Sequence, residues 1–443
     1  MAIIAQRELF GWEQIDELGD LARLRLVLEH LPDEELMRAL EARRCGGRDD
    51  YPIRAIWNSL LAGVVFDHRS IESLRRELKR NGQLRALCGF DVVKGEAAVP
   101  SRWAYTRFLK TLMLHQPLVE RIFDRLVEQL GELLEGFGAR LGCDGKAVRS
   151  HGRRRAKDAP TKRDGRRDLD ADVGVKKYRG VRQDGTPWEK LKSWFGYTLH
   201  LVVDTEYELP VAYKVTRASA GEQPVAHQLL DTLDARHRPL LEGCTHLAAD
   251  KGYDDGKLTR RLWDHYRIKP VIDIRNLWKD DGIDNTRPLE GGPPEVVYDY
   301  RGTLYCHCPL TDTPHQMAYG GFERERGTLK YLCPARHYGF DCPGMAHCSV
   351  GHSVRVPLSD DRRIFTPLPR ATYSWRRQYN KRTAVERVNS RLDVSFGFEH
   401  HFIRGLDKMR LRCSLALCVM LAMALGRARE NQHEHIRSLV RAA

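Results

Sequence analysis

Two short apolar segments of strand-like composition, RLGCD (140–144) and THLAAD (245–250), each end on an aspartate, Asp144 and Asp250. A third acid, Glu386, follows Asp250 by 136 positions and sits in YNKRTAVERVNSRL, a stretch with helical spacing. Two strand-borne aspartates and a helix-borne glutamate can converge only where strand ends open beside a helix. That requirement predicts an α/β fold, with a mixed sheet flanked by helices.

The remaining pattern fits this frame. Up to about residue 135, leucines and isoleucines recur at helical intervals, in Leu24, Leu28 and Leu31 and again in Ile53, Ile56, Leu60 and Val64. A helix start is expected after Pro32 in LPDEE, and a capped start at Ser70. Arg75, Arg76, Lys79, Arg80 and Arg85 form a basic face suited to DNA phosphates or to plain solvation. From Arg140 strands are expected at 196–204, 209–215, 245–250 and 269–275, with helices at 228–235 and 256–266. The expected units are a helical N-terminal domain (1–135), a catalytic core in two parts (136–290 and 356–430), a Cys-rich insertion (291–355) and a tail (431–443).

Residues 145–194 hold 16 Lys or Arg against 7 Asp or Glu, or +9 of the chain's formal +13. With little apolar content, this insertion reads as a loop placed to track a polyanion, with Arg153, Arg154, Arg155, Lys162, Arg163, Arg166 and Arg167 as phosphate contacts. A solvated linker is the alternative. No secretory signal opens the chain, and the apolar run from Cys413 to Leu425 is too short to span a bilayer. The expectation is a cytoplasmic protein, nucleoid-associated when bound, without a membrane partner. Its 11 cysteines are then thiols or metal ligands rather than disulfides.

Three carboxylates suit Mg²⁺, a hard cation that takes oxygen ligands and for which Mn²⁺ substitutes. Asp144 would bridge two such ions, while Asp250 and Glu386 would each complete one. A pair of ions held about 3.5–4 Å apart clamps the attacking and leaving oxygens of a phosphodiester, so no protein nucleophile is needed. Arg382 and Glu386 are four residues apart and Tyr379 lies three before Arg382, a spacing that places all three within two turns of one helix. Arg382 and Tyr379 could bind phosphate oxygens there; an ordinary Arg–Glu helix pair beside a packing tyrosine is the plainer reading.

DGK after the first strand, ADKGYD after a later one and Y-x-x-R-x-x-x-E on a late helix resemble the DDE transposases of bacterial insertion sequences. The resemblance is to the subgroup with a Tyr-Arg-Glu signature and an RNase H-like catalytic domain. YPIRAIWNSLLAGVVFDHRSIESLRRELKRNGQLRALCGF resembles the helical domain preceding that core, and the match runs from about Tyr51 to Leu425. It implies Asp144, Asp250 and Glu386 as catalytic metal ligands, and Tyr379 and Arg382 as contacts to the transposon end. It also implies cleavage at terminal inverted repeats, joining of 3′-hydroxyls to target DNA, and a homo-oligomer on double-stranded DNA. The family's lysine seven positions after the glutamate is replaced here by Asp393, with Arg391 as the nearby substitute. A non-catalytic DNA-binding descendant and a stand-alone metal-dependent nuclease remain as alternatives.

Between Asp250 and Glu386 lie Cys306, Cys308, Cys333, Cys342 and Cys348, a concentration that reads as a structural Zn²⁺ site or as buried thiols. The zinc set would combine Cys306 or Cys308 with the other three, stiffening an insertion too small to fold alone.

Overall fold

The computed structural model describes residues 19–44, 51–152, 154, 168–182, 184–278 and 285–438. Seven helices lead: α1 (Leu21–His30), α2 (Glu34–Ala42), α3 (Ile53–Val65), α4 (Ile71–Arg80), α5 (Gly82–Cys88), α6 (Arg102–Leu114) and α7 (Gln116–Leu133). Ser70, Asn81 and Ser101 cap α4, α5 and α6 by accepting the amides of Ser73, Leu84 and Ala104. Such caps satisfy amides that lack an intrahelical partner. Asp33, before α2, does not cap. It is buried and accepts instead from Trp57 Nε1 and Arg54 Nη1, both at 2.5 Å, pinning α3. Arg75, Lys79, Arg80 and Arg85 each have an intramolecular partner: Glu72, Glu96, Glu77 and the Leu78 carbonyl respectively.

The main sheet follows, with β1 (Arg140–Arg149), β2 (Asp172–Val181), β3 (Pro187–Asp204) and β4 (Leu209–Arg217). After α8 (Glu222–Arg236) and α9 (Arg238–Gly243) come β5 (His246–Ala249), α10 (Gly256–Arg260) and β6 (Lys269–Ile272). β4, β3 and β1 are antiparallel neighbours, and β1, β5 and β6 run parallel. The basic segment is therefore only partly a loop. β1 runs five residues past Asp144, and β2 with the first half of β3 makes a long hairpin paired from Asp172–Gly196 to Val181–Pro187. The outer part of β3, residues 187–193, is exposed, so no buried face imposed the alternation by which a strand is recognised.

The insertion forms two small antiparallel sheets. One has the order β10 (Pro314–Gln316), β9 (Leu304–His307), β8 (Val296–Asp299), β7 (Thr286–Pro288); the other joins β11 (Ala318–Glu323), β12 (Thr328–Leu332) and β13 (Ser353–Pro357), with α11 (Pro334–Tyr338) between the last two. Its apolar core, Val296, Leu304, Leu329 and Val356, is separate from the main one and takes in Trp263, Ile274 and Phe365 from the flanking segments. The chain ends in α12 (Tyr373–Asn380), α13 (Thr383–Phe396) and α14 (Leu406–Arg429).

The apolar run Cys413–Leu425 lies within the 24-residue α14, which by length and composition alone is long and apolar enough to cross a membrane. Its most apolar window is nonetheless 89% buried, packed on α7, α1, α3 and β4. One continuous hydrophobic core thus joins the N-terminal helices to the sheet, and the expected boundary near 135 is no break in packing.

Candidate active site

The pairing of β1 with β5 ends at Cys143 and Ala249, so Asp144 and Asp250 are the next residues on adjacent parallel strands. Asp144 lies inside β1 rather than closing it, opposite Leu201 of β3. Asp250 ends its strand and folds back, accepting the Gly252 amide at 2.7 Å. Glu386 arrives from the first turn of α13, a half-exposed side chain at the helix end whose dipole favours an anion.

Gly142 sets the approach of α13 to β1. A Cβ there would lie 2.9 Å from Val385 Cγ2 and 3.7 Å from Arg382 Cα, so only glycine lets helix and strand come this close. Arg382 then bridges the two acids, with Nη1 3.4 Å from Asp144 Oδ2 and Nη2 2.8 Å from Glu386 Oε1. Its guanidinium lies 5.7 Å from the Tyr379 ring centroid, and that ring stacks on Trp375 at 4.7 Å. Tyr379 and Glu386 do not share one helix. Tyr379 is near the end of α12, Lys381 makes a turn, and Arg382 is the N-cap residue of α13. The break turns the Arg382 side chain between strand and helix.

Burial pushes the Asp144 carboxyl up to about 6; Lys176 opposes this, Asp250 adds to it, and the Gly145 amide and Arg382 oppose it further. Lys176, which sequence reasoning missed, comes from β2 of the basic hairpin and pairs with Glu222 Oε1 at 3.1 Å. Burial opposes the Lys176 charge, yet Glu222 and Asp144 hold its pKa above the ordinary value. Glu222, in the first turn of α8, was also missed; five residues after β4 ends, it had only its place at a helix start to mark it.

Asp393 pairs with Lys146 at 2.5 Å, so its charge is neutralised inside the fold. Arg391 does not stand in for the missing lysine, because Glu208 takes it through both its carboxylate (3.0 Å) and its carbonyl (2.7 Å). Asp254 is likewise structural, bound by Arg363 and the Arg275 amide.

Of the basic residues expected to contact phosphate, Arg154 is described and exposed, whereas Arg153, Arg155, Lys162, Arg163, Arg166 and Arg167 lie outside the described residues. Cys306, Cys308, Cys333, Cys342 and Cys348 line one cavity of ≈ 30 Å³, near the size of a single bound ion or water. The cysteines of the described residues carry no disulfide. Among the described residues no three His, Cys, Asp or Glu side chains are drawn together as an ion would hold them. At the acids, Arg382 and Lys176 stand among the carboxylates and supply positive charge. The donors fit a divalent cation in kind, being carboxylates on adjacent strands and on the first turn of the neighbouring helix. The thiols fit zinc in kind, five of them around one small cavity.

Residues 144–422 match the family described as "Transposase DDE domain", a match that begins at Asp144 itself, and residues 13–111 match "Transposase domain (DUF772)". No curated protein matches the chain. Among solved structures, the chain resembles piggyBac transposase in its synaptic complex with hairpin DNA at 11% identity and a TM-score of 0.39, covering 96% of this chain and 80% of that one. With the first match spanning more than half of its length, the chain belongs to the transposase DDE-domain family.

Proposed function

We propose that this protein is a DNA transposase of a bacterial insertion element, cutting the ends of its own element and joining the freed 3′-hydroxyls to target DNA. The observation that carries the reading is the bridge from Asp144 through Arg382 to Glu386, with Asp250 on the neighbouring strand. A six-stranded sheet in which β4, β3 and β1 are antiparallel neighbours and β5 and β6 run parallel to β1, with acids on β1 and just after β5, supports an RNase H-like catalytic domain.

In this reading Asp144, Asp250 and Glu386 hold divalent cations, Mg²⁺ or Mn²⁺, which would lower the pKa of a water or 3′-hydroxyl and offset charge building up on the phosphate. The chain's own part is to aim. Arg382, fixed by two carboxylates and the Tyr379 face, offers its remaining donors to a phosphate oxygen of the transposon end. The β2–β3 hairpin and the basic segment before it track the backbone of terminal repeats or target. Homo-oligomeric assembly on paired ends and a cytoplasmic, nucleoid-bound location belong to the same reading. The five cysteines support a zinc site that ties α11 and its flanking loop to β9.

The test incubates the protein and its Glu386→Gln variant with the DNA flanking its own gene, in Mg²⁺ or Mn²⁺, and maps breaks to the nucleotide. Paired breaks at inverted sequences, with joined products, are expected from the wild type and not from the variant. Tight binding without breaks would instead identify a DNA-binding descendant. Breaks without end preference or joining would identify a nuclease.

A further inference from the structure

A fourth carboxylate stands at the end of β5. Glu222 Oε2 fills the space that a side chain on Gly252 would need, and Asp250 Oδ1 borders the same space, 2.8 Å from where that Cβ would be. Two carboxylates therefore crowd one point beside the Gly252 backbone. The other Glu222 oxygen, Oε1, lies 3.5 Å from the position of a Cβ on Gly145, the neighbour of Asp144. Like charges this close destabilise each other unless a cation stands among them.

That cation is Lys176. Its Nζ is 3.1 Å from Glu222 Oε1 and 3.4 Å from the Gly145 carbonyl, and both Asp144 and Asp250 act on it. An independent group marks the same place. His200 is fully buried, its Nδ1 has no hydrogen-bond partner, and that nitrogen lies 3.5 Å from the same point beside Gly145. Buried polar atoms are seldom left unpaired, and this one borders the same space as Glu222 Oε1, with Lys176 acting on its ring, which suits a space that is filled in another state of the site.

We propose that Glu222 is a fourth carboxylate of the divalent-cation centre, and that Lys176 is its displaceable counter-ion, occupying the site until a cation enters. The proposal rests on the reading that Asp144, Asp250 and Glu386 bind divalent cations. A hard divalent cation takes oxygen donors, and Glu222 adds two beside Asp250. A lysine suits the placeholder's role because it is a point charge on a flexible stem that can withdraw without leaving a fixed fork of donors unpaired. Cation binding therefore competes with Lys176, and the charged hairpin that carries it senses whether the site is loaded.

The test titrates Mn²⁺ by calorimetry into the full chain without DNA, comparing wild type, Asp144→Asn, Glu222→Gln and Lys176→Met, with a melting curve of each in chelator. Glu222→Gln is expected to weaken Mn²⁺ binding roughly 10–100-fold, as losing a supporting carboxylate does. Lys176→Met is expected to tighten it, the opposite sign, which general damage to the fold would not produce. Binding lost in Asp144→Asn but unchanged in Glu222→Gln would overturn this inference alone. Binding absent from the wild type, or indifferent to Asp144→Asn, would overturn the underlying reading as well. Should Glu222→Gln fail to fold, Lys176→Met decides, and unchanged or weaker binding there overturns the inference.

Discussion

Lys146 and Asp393, 247 residues apart, meet at 2.5 Å with only 10% and 28% of their side chains exposed, and so join β1 to α13 two residues beyond Asp144. The acid at the position where the resemblance expects a lysine is thus the counter-ion of a lysine on the strand that carries Asp144. Restoring a lysine by Asp393→Lys would put two ammonium groups in one half-buried space. That variant is expected to be destabilised by roughly 2–4 kcal/mol, as when a buried pair loses one partner. The exchange Lys146→Asp with Asp393→Lys is expected to recover most of the loss. Denaturant melts of the three variants check this, and a stable single Asp393→Lys would refute it.

Asp144→Asn is expected to abolish cleavage yet stabilise the cation-free protein at neutral pH. With its folded pKa near 6 against an ordinary 3.8, ionised Asp144 destabilises the fold. The penalty is full above pH 6 and relieved as the pH falls from 6 toward 3.8. A gap of about two units corresponds to about 3 kcal/mol. Melting in chelator should therefore show a gain at pH 8 that shrinks steadily below pH 6. A gain that is the same at pH 8 and pH 4 would show that its cause is not this charge.

Gly252→Ala tests the crowding beside Asp250. The new methyl would overlap Glu222 Oε2 and lie 2.8 Å from Asp250 Oδ1, both ends of flexible side chains, so the fold should survive while the carboxylates shift. Strand cleavage is expected to fall on the order of a hundredfold, the usual consequence of reacting groups displaced by about 1 Å. Cleavage rates beside an unchanged melting temperature would establish it.

Asp168 serves the fold rather than the chemistry. Buried, it accepts from Ser150 Oγ (2.6 Å), Tyr197 Oη (2.7 Å), the Gly405 amide (2.9 Å) and the Asp170 amide (3.1 Å), tying the basic segment to the start of α14. Burial would raise its pKa, but the Ser150, Gly405, Tyr197 and Asp170 donors outweigh it and hold the carboxyl below its ordinary value. The stability this brings is present above the unfolded pKa and lost as pH falls through the depressed folded one. Asp168→Asn should cost about 2–4 kcal/mol at pH 7, because it leaves donors facing an amide. The difference from wild type should close in strong acid, which a pH series of melts would reveal.

Zinc analysis of the purified chain is expected to find about one ion per molecule, since four thiolates complete a tetrahedral site. Removing it with a strong chelator should lower the melting temperature of the insertion while leaving Mn²⁺ binding at the carboxylates intact. A metal-free preparation with full thermal stability would make these cysteines simple core thiols.

Much of the site could be read along the chain because its information is local. A short apolar run followed by Asp, or an Arg and a Glu four apart, is written within a few residues, and this local pattern marks Asp144 and Asp250, on adjacent strands, and Arg382 with Glu386, although β1 continues past Asp144. The errors fell where no buried face leaves a pattern. The hairpin of β2 and outer β3 is charged and exposed, and reads as a loop. The turn at Lys381 carries neither Gly nor Pro, and reads as unbroken helix.

The sequence by itself determined which residues bear charge, which segments bury apolar faces, and hence three acids on or beside predictable elements. Only the tertiary structure decided which partners complete them: Glu222 beside Gly252, Lys176 against Glu222, and Lys146 against Asp393. Spacing specifies neighbours within a turn or a strand, whereas these pairs depend on strand register and on the seat of a helix over a glycine. Both are set by packing the whole core at once.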